Sequence, residues 1–418
     1  MKNIIFKTFA LIFSLIILLL SFSSCASDSS ETVKLYVYNW GEYISDGSED
    51  SYDCNKEFEE WYFDNFGQKV EVIYSTYSSN EDMYAKLSSG SINYDVIVPS
   101  DYMIERLIKE EQLYPLDYSN IPNIDNIAPE FYGEDAVFDY YDKGSVYSVP
   151  YFYGMIGIIY NTSMIDENDE DIGSWSLMWD EDYKGNILQF NNSRDALGTA
   201  QYYLGIDVNT DDESEWRRAL ELLREQKGVL QGYVMDEIFN KMEGGSAAVA
   251  AYYAGDYLAM YEANEDLEFY YPKEGTNLYV DAMCIPKCSQ NKTVAERYIS
   301  FMLTEDPAIA NAEYTYYASP NTLVRDNEEY IEYMSEIKDD AYEKMYDTEN
   351  VNATYYMNLT PEKLALVNSL WEELKSDIDV SPTIYLICVA IIVSLVSIFV
   401  FFVIRKRTRD KHISNMKY

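Results

Sequence analysis

Between residues 33 and 113 the chain alternates strand-like and helix-like stretches, and no other feature limits its fold so tightly. Residues 33–40 are apolar and β-rich, 57–66 have helical spacing, and 69–76 read as a strand. A helix is expected at 81–87, a strand at 94–99, and a further helix at 102–113 with Ile104, Leu107 and Ile108 on one face. Strands alternating with helices of this length predict a largely parallel α/β sheet. Ligands of such sheets sit beyond the carboxyl ends of the strands. Three of the strands end in polar or aromatic groups: Asn39 and Trp40 with Tyr43, then Ser75 to Tyr77, then Ser100 to Tyr102. Those ends are the first indication of a site.

At 418 residues the chain is too long for one ordinary core and long enough for two lobes. A second region starts near Val149, Pro150 and Tyr151 and runs to about Glu274. It holds an acidic loop at 166–171, expected helices at 194–204 and 213–226, and a segment at 247–253. The loop lacks the glycine of a calcium-binding loop and reads as a solvated turn, so no metal site is expected. Strand pattern returns at 282–286. The last helix is expected from Pro361 to about Ser376, with Thr360 as its N-cap and proline at its first position. The sequence shows no internal repeat.

The termini indicate a location. Lys2 and Lys7 precede an apolar run at 9–20, and Ser23 and Ser24 lead to Cys25. That is the pattern of a secretory signal peptide over 1–24. Cysteine directly after small residues suggests a bacterial lipobox with Cys25 lipidated, although Phe22 stands where leucine is usual. A plain cleaved signal is the alternative. Residues 384–404 are 21 positions without a charge, long enough to cross a bilayer as a helix. Arg405, Lys406 and Arg407 follow at once, which assigns 405–418 to the cytoplasm and everything between the two segments to the outside. Of five cysteines, Cys388 falls within that span, leaving Cys54, Cys284 and Cys288 where a disulfide is permitted but no pair is specified.

The formal charge of the whole chain is −41. Setting aside two lysines in the leader, and six basic and one acidic residue in the tail, leaves 23 basic and 71 acidic residues outside, a net of −48. Such a field attracts cations and repels nucleic acid and anionic substrates, yet it also fits solubility alone. The only histidine is His412, in the expected tail, so no Ser-His-Asp or Cys-His relay and no histidine-bound zinc is available outside. No phosphate-cradling glycine loop is present. Nothing among 71 acids selects a catalytic pair. An enzyme is not expected, nor a cofactor.

What the sequence does offer is aromatic and acidic residues interleaved at segment ends: Trp40 and Tyr43, Tyr102, Tyr253 with Asp256, Tyr279 with Asp281, and Tyr317. A linear amine with several charges needs this combination. Its methylenes lie on flat rings, its ammonium groups are attracted to ring faces at ~0.5–2 kcal/mol each, and carboxylates fix its ends through charge-assisted hydrogen bonds. With 42 tyrosines in the chain, any one of them taken alone is more simply core or surface.

At these positions, over about 33–375, the chain resembles the substrate-binding proteins of bacterial spermidine/putrescine ABC importers. Tyr38 to Tyr43 looks like the family's opening motif, and Tyr74 to Tyr77 with Ser79 to Leu87 is a close match. Val98 to Tyr102, Val149 to Tyr151, Pro272 to Gly275, Asp281 before Ile285 and Pro286, and Tyr317 before Ser319 to Asn321 follow in order. The resemblance implies a two-lobed, periplasmic-binding-protein-like (type II) α/β fold with hinge-crossing strands, closing over its ligand. Mapped here, that gives a first lobe at 33–148, a second at 149–274, a return at 275–321 and C-terminal helices at 322–376. It implies that Trp40, Tyr43, Ser100 and Tyr102 contact ligand from the first lobe, and that Tyr253 and Tyr279 pack on the methylene chain. Asp281 would grip an amine, and Asp195 stands where the family commonly has glutamate. Asn192 replaces an acid of the spermidine-preferring type, whereas Tyr253, Ala254, Gly255 and Asp256 resemble the putrescine-preferring type. Met357 stands near where a polar glutamine is expected. The acid set Asp195, Asp256 and Asp281 is thus a hybrid, and binding of both putrescine and spermidine is expected, unranked.

The implied partners are a polyamine, ABC permease subunits and their ATPase, with the receptor on the extracellular face of the cell membrane. Two alternatives remain open at this level. Tyr252 with Tyr253, or Tyr316 with Tyr317, could offer phenolates to ferric ion. A sensor that signals through the tail is the other, against which only 14 residues follow the expected span.

Overall fold

The computed structural model describes residues 32–133, 136–376 and, beyond these, Ala390, Ile391 and Ser394. The expected leader, Cys25, the tail and most of the 384–404 segment lie outside the described residues. Among the described residues no helix is long and apolar enough to cross a membrane. Contacts divide the chain between Leu364 and Ala365. Apart from the last helix, which extends past that division, the features below belong to the first of these units.

The opening alternation folds as its pattern dictates. Strand β1 (Val33–Trp40) buries Leu35 and Val37 and pairs in parallel with β2 (Val70–Tyr77) along all eight residues, from Val33 opposite Val70 to Trp40 opposite Tyr77. The helix between them, Cys54–Phe66, is capped by the Asp53 carboxylate, which accepts from the Lys56 amide. The helix Asn80–Ser88 is capped in the same way by Ser79.

β3 is only Val96–Ile97, shorter than the strand expected at 94–99, because polar groups at both ends are used elsewhere. The Asp95 carboxylate accepts the amides of Tyr36, Gln290 and Asn291 and the Ser289 hydroxyl. The Val98 carbonyl accepts the Trp40 indole N–H at 2.9 Å and the Tyr77 hydroxyl at 2.6 Å. The next helix, Asp101–Lys109, also stops short of its expected end at 113, since Glu111 turns the chain with a φ of 56°.

Among the described residues ten strands form the sheet, with β4 (Ser148–Asn161), β5 (Ile187–Phe190), β6 (Leu230–Val234), β7 (Val249–Tyr253), β8 (Leu267–Tyr270), β9 (Thr276–Cys284) and β10 (Ala353–Thr354) completing it. Its order is β2-β1-β3-β9-β4-β7-β5-β6, with β10 on β9 and β8 on β4. The flanks are parallel, as expected: β2, β1 and β3 on one side and β7, β5 and β6 on the other. The middle is not. β9 runs antiparallel to both β3 and β4, and β4 antiparallel to β7 and β8. The two long central strands are almost wholly buried: every residue of β9 is buried, and in β4 only Tyr160 is not. β9 starts six residues before the strand expected at 282–286, because Thr276 to Asp281 mixes polar and aromatic residues and hides the strand period.

The helix Glu213–Gln226 has its expected bounds, and Pro361–Ser376 begins as expected, the Lys363 amide reaching Thr360 Oγ1 at 3.3 Å. Cys54, Cys284 and Cys288 are free thiols. The acidic loop at 166–171 is less solvated than its composition suggests. Its Asp169 and Asp171 lie half-buried, with carboxylate oxygens within 4.8 Å of each other and of Asp180.

Candidate functional site

The carboxyl ends of β1, β3, β5 and β7, together with the middle of β9, surround one cleft enclosing about 730 Å³ of empty space out to its mouth. All ten residues singled out from the sequence line it: Trp40, Tyr43, Ser100, Tyr102, Asp195, Tyr253, Asp256, Tyr279, Asp281 and Tyr317. Asn192 lines it too. Met357 does not; it is 47% exposed, and the buried side chain in the wall is its neighbour Tyr356.

Asp281 sits mid-strand on β9, 4% exposed. The Tyr43 hydroxyl donates to its Oδ2 at 2.7 Å and the Ser100 hydroxyl to its Oδ1 at 2.6 Å. Ser100 is itself fixed by Asn80, whose side-chain amide donates to Ser100 Oγ and accepts the Ser100 amide. Burial pushes the Asp281 carboxyl up to about 7, and the charge of Asp195 adds to the effect.

Asp195 lies in the first turn of the helix Ser193–Tyr203. Asn192 is the N-cap of that helix and accepts the Asp195 amide at 2.8 Å. The Asn192 side-chain amide and the Tyr253 hydroxyl both donate to Asp195 Oδ2 at 2.8 Å. Asn192 therefore braces an acid in place of supplying one. Asp256 occupies the first turn of a later helix, Ala254–Ala263, and burial pushes its carboxyl up to about 8, with Asp236 and Glu42 adding repulsion.

Three further acids complete the wall, and sequence reasoning missed them. Asp101 is fully buried; it accepts the Tyr102 amide at 2.7 Å and the Tyr140 hydroxyl, and burial pushes it up to about 8. Glu81 accepts the Tyr102 hydroxyl at 3.1 Å. Asp236 stands exposed at the rim. Asp101 and Glu81 fell inside motifs that had been recognised, at Val98 to Tyr102 and Ser79 to Leu87, so attention to every acid in those motifs would have found them. Asp236 and Tyr356 carried no such signal.

The rings meet edge to face. Tyr43 and Tyr317 are 4.9 Å apart at 79°, Tyr253 and Tyr279 5.5 Å apart at 77°. Trp40 leans on Tyr77 at 4.6 Å, with its indole N–H tied to the Val98 carbonyl. Such pairs hold one another rigid at about 0.5–1.5 kcal/mol each. Six carboxylates and eight aromatic side chains thus face one space, and among the described residues no lysine, arginine or histidine joins that lining. The chemistry of an acidic, ring-lined cleft of this kind suits an organic cation and disfavours an anion.

Of the tyrosine pairs considered for iron, Tyr252 and Tyr253 both line the cleft, whereas Tyr316 and Tyr317 have different surroundings. The Tyr316 hydroxyl donates to Glu262 at 2.5 Å and its ring stacks on Tyr333, while Tyr317 lines the cleft. Burial raises the hydroxyls of Tyr252, Tyr253 and Tyr317 well above their ordinary value, which disfavours phenolates.

Comparison with known proteins gives a consistent result. Residues 55–339 match the family model of bacterial extracellular solute-binding proteins. The chain is 32% identical over 307 residues to the spermidine/putrescine-binding periplasmic protein of Salmonella typhimurium, covering 73% of this chain and 83% of that one. It is similar to the solved structure of the spermidine/putrescine ABC transporter substrate-binding protein of Streptococcus pneumoniae, with a TM-score of 0.62 and 32% identity over 82% of this chain and 99% of that one. A Treponema pallidum lipoprotein matches with a TM-score of 0.67 and 27% identity over the same shares. The two-lobed α/β architecture is that of these proteins, and the chain belongs to the bacterial extracellular solute-binding proteins.

Proposed function

We propose that the protein is the extracellular receptor of an ABC importer for short linear polyamines, putrescine and spermidine. The observation that carries this is the lining of the cleft: six carboxylates and eight aromatic rings, with no cationic side chain among the described residues. Asp281, braced by Tyr43 and Ser100, takes one ammonium group, and Asp195 and Asp256 take others. Trp40, Tyr102, Tyr253, Tyr279 and Tyr317 pack against the methylenes. The names of the Salmonella and Streptococcus relatives support the ligand class. The lobes are 33–148 with 275–321 and 149–274, crossed by β4 and β9. The receptor passes its ligand to permease subunits driven by an ATPase.

It is held at the outer face of the cell membrane by the 384–404 helix and by a lipid on Cys25, the latter supported by the lipoprotein among its relatives. The binding reading is tested by calorimetric titration of the purified protein with putrescine, spermidine and ferric citrate. Saturable binding of either amine with no response to iron supports it. Iron binding with a tyrosinate colour, and no heat with amines, would overturn it.

A further inference from the structure

After β10 the chain runs past the cleft as a strap, residues 355–358, of which sequence reasoning had brought only Met357 near the site. Its anchors come from both halves of the fold. Asn209 donates to the Tyr355 carbonyl at 2.8 Å and accepts the Met357 amide at 2.9 Å. Arg194 donates to the Met357 carbonyl at 3.4 Å, while Glu105, on the helix Asp101–Lys109, accepts the Asn358 amide at 2.8 Å. The Tyr356 amide donates to Asn277 on β9.

Held this way, Tyr356 is 1% exposed and forms part of the cleft wall. Its ring meets the Tyr102 ring edge-on at 6.4 Å. Its hydroxyl has no hydrogen-bond partner; it fits against the helix Ser193–Tyr203 at Gly198, where an added Cβ would lie 2.0 Å from it. Directly over the ring, 4.4 Å from its centre, is the buried guanidinium of Arg194. Among acids, the charges of Asp195 and Asp101 bear on Tyr356, and those of Asp236 and Glu42 on Asp256.

If the ligand is a linear amine, as proposed above, the geometry points to Tyr356 as the end stop of the cleft, the residue that sets the length of amine accepted. The stop is steric and electrostatic together. The ring closes the space against a helix, and an ammonium group forced past it would meet a guanidinium of like sign. Tyr356 contacts the ligand's terminus, and Gly198 is a positioning residue that lets the ring sit back.

Two variants move the stop in opposite directions. Tyr356→Leu shortens the wall while keeping an apolar cover over Arg194; Gly198→Ala pushes the ring into the cleft. The measurement is the ratio of affinities for spermine and putrescine by calorimetry on the full-length protein, with thermal melts to verify folding. The ratio is expected to rise about tenfold in Tyr356→Leu and to fall about tenfold in Gly198→Ala. A ratio within about twofold of wild type in either folded variant, or a shift of the same sign in both, would overturn the assignment. A wild-type protein that binds neither amine would instead remove the functional reading on which the assignment rests.

Discussion

Asp281 is the residue on which the site turns, since it lies mid-strand with both oxygens already aimed by Tyr43 and Ser100. Asp281→Ala leaves those two buried hydroxyls without their acceptor and removes the anion. Loss of one partner of a buried charge pair costs about 2–5 kcal/mol, which is roughly 30-fold or more in affinity. Titration should show that loss with circular dichroism unchanged; wild-type affinity in the variant would refute the role.

Asp256 predicts two effects of opposite sign. Burial holds its carboxyl near 8, so above that pH the ligand-free fold bears an uncompensated charge. Asp256→Asn should therefore weaken amine binding yet raise the melting temperature of the ligand-free protein at pH 9 by a few degrees, since about 1 kcal/mol moves a domain of this size by roughly 2 °C. At this scale the sequence was legible for most rings and acids in strand-end motifs, Trp40, Tyr43 and Tyr102 among them, though Asp101 was passed over. It was silent on Tyr356, because a tyrosine in a loop among 42 tyrosines carries no pattern.

At the scale of elements, the start of the helix Ala254–Ala263 packs directly against the site. An added Cβ at Gly255 would lie 2.5 Å from the Tyr317 ring, so only glycine allows that ring to rest against the helix and still face the cleft. Gly255→Ala should displace Tyr317 and weaken binding about tenfold, within the roughly 1–3 kcal/mol that overpacking costs. Calorimetry with a thermal melt separates that local effect from unfolding.

Elements with a clear period were readable: β1 and the helix Glu213–Gln226 fell where the pattern put them. Strand direction at the centre of the sheet was not readable. Whether β9 runs parallel or antiparallel to β3 depends on the path of the chain through the second lobe, and no local residue encodes that path. The cut ends of β3 and of the helix Asp101–Lys109 were hidden for a related reason, because long-range hydrogen bonds to Asp95 and Val98 and a backbone turn at Glu111 override local propensity.

For the whole molecule, the raised carboxyls make binding a proton-linked event. Asp281 near 7 and Asp256 near 8 hold protons in the ligand-free cleft at lower pH, and an ammonium group favours the ionised forms. Binding must expel those protons, so affinity should rise with pH by up to about tenfold per unit for each proton released, levelling off above about 7 for Asp281 and about 8 for Asp256. Titrations in buffers of different ionisation heat would count the protons; no pH dependence between 6 and 9 would contradict this.

The same groups act on stability with the reverse sign. Their folded pKa values exceed the unfolded ones, so the native state binds more protons between about 4 and 8, and ligand-free stability should fall as pH rises across that window. The two-lobed class was legible because the alternation at 33–113 gave the α/β sheet and the ordered motifs extend from Tyr38 to Asn321. Net charge was the weakest guide, since −41 fits any acidic protein until the cleft shows where six of the acids gather.

The most direct test of the central claim, that this cleft selects a cation, is a calorimetric comparison of putrescine with butane-1,4-diol, its neutral counterpart of matching length. The account predicts saturable binding of the diamine and none of the diol at the same concentrations, because unpaired buried carboxylates reject a ligand that cannot neutralise them. Equal affinity for the two would contradict it.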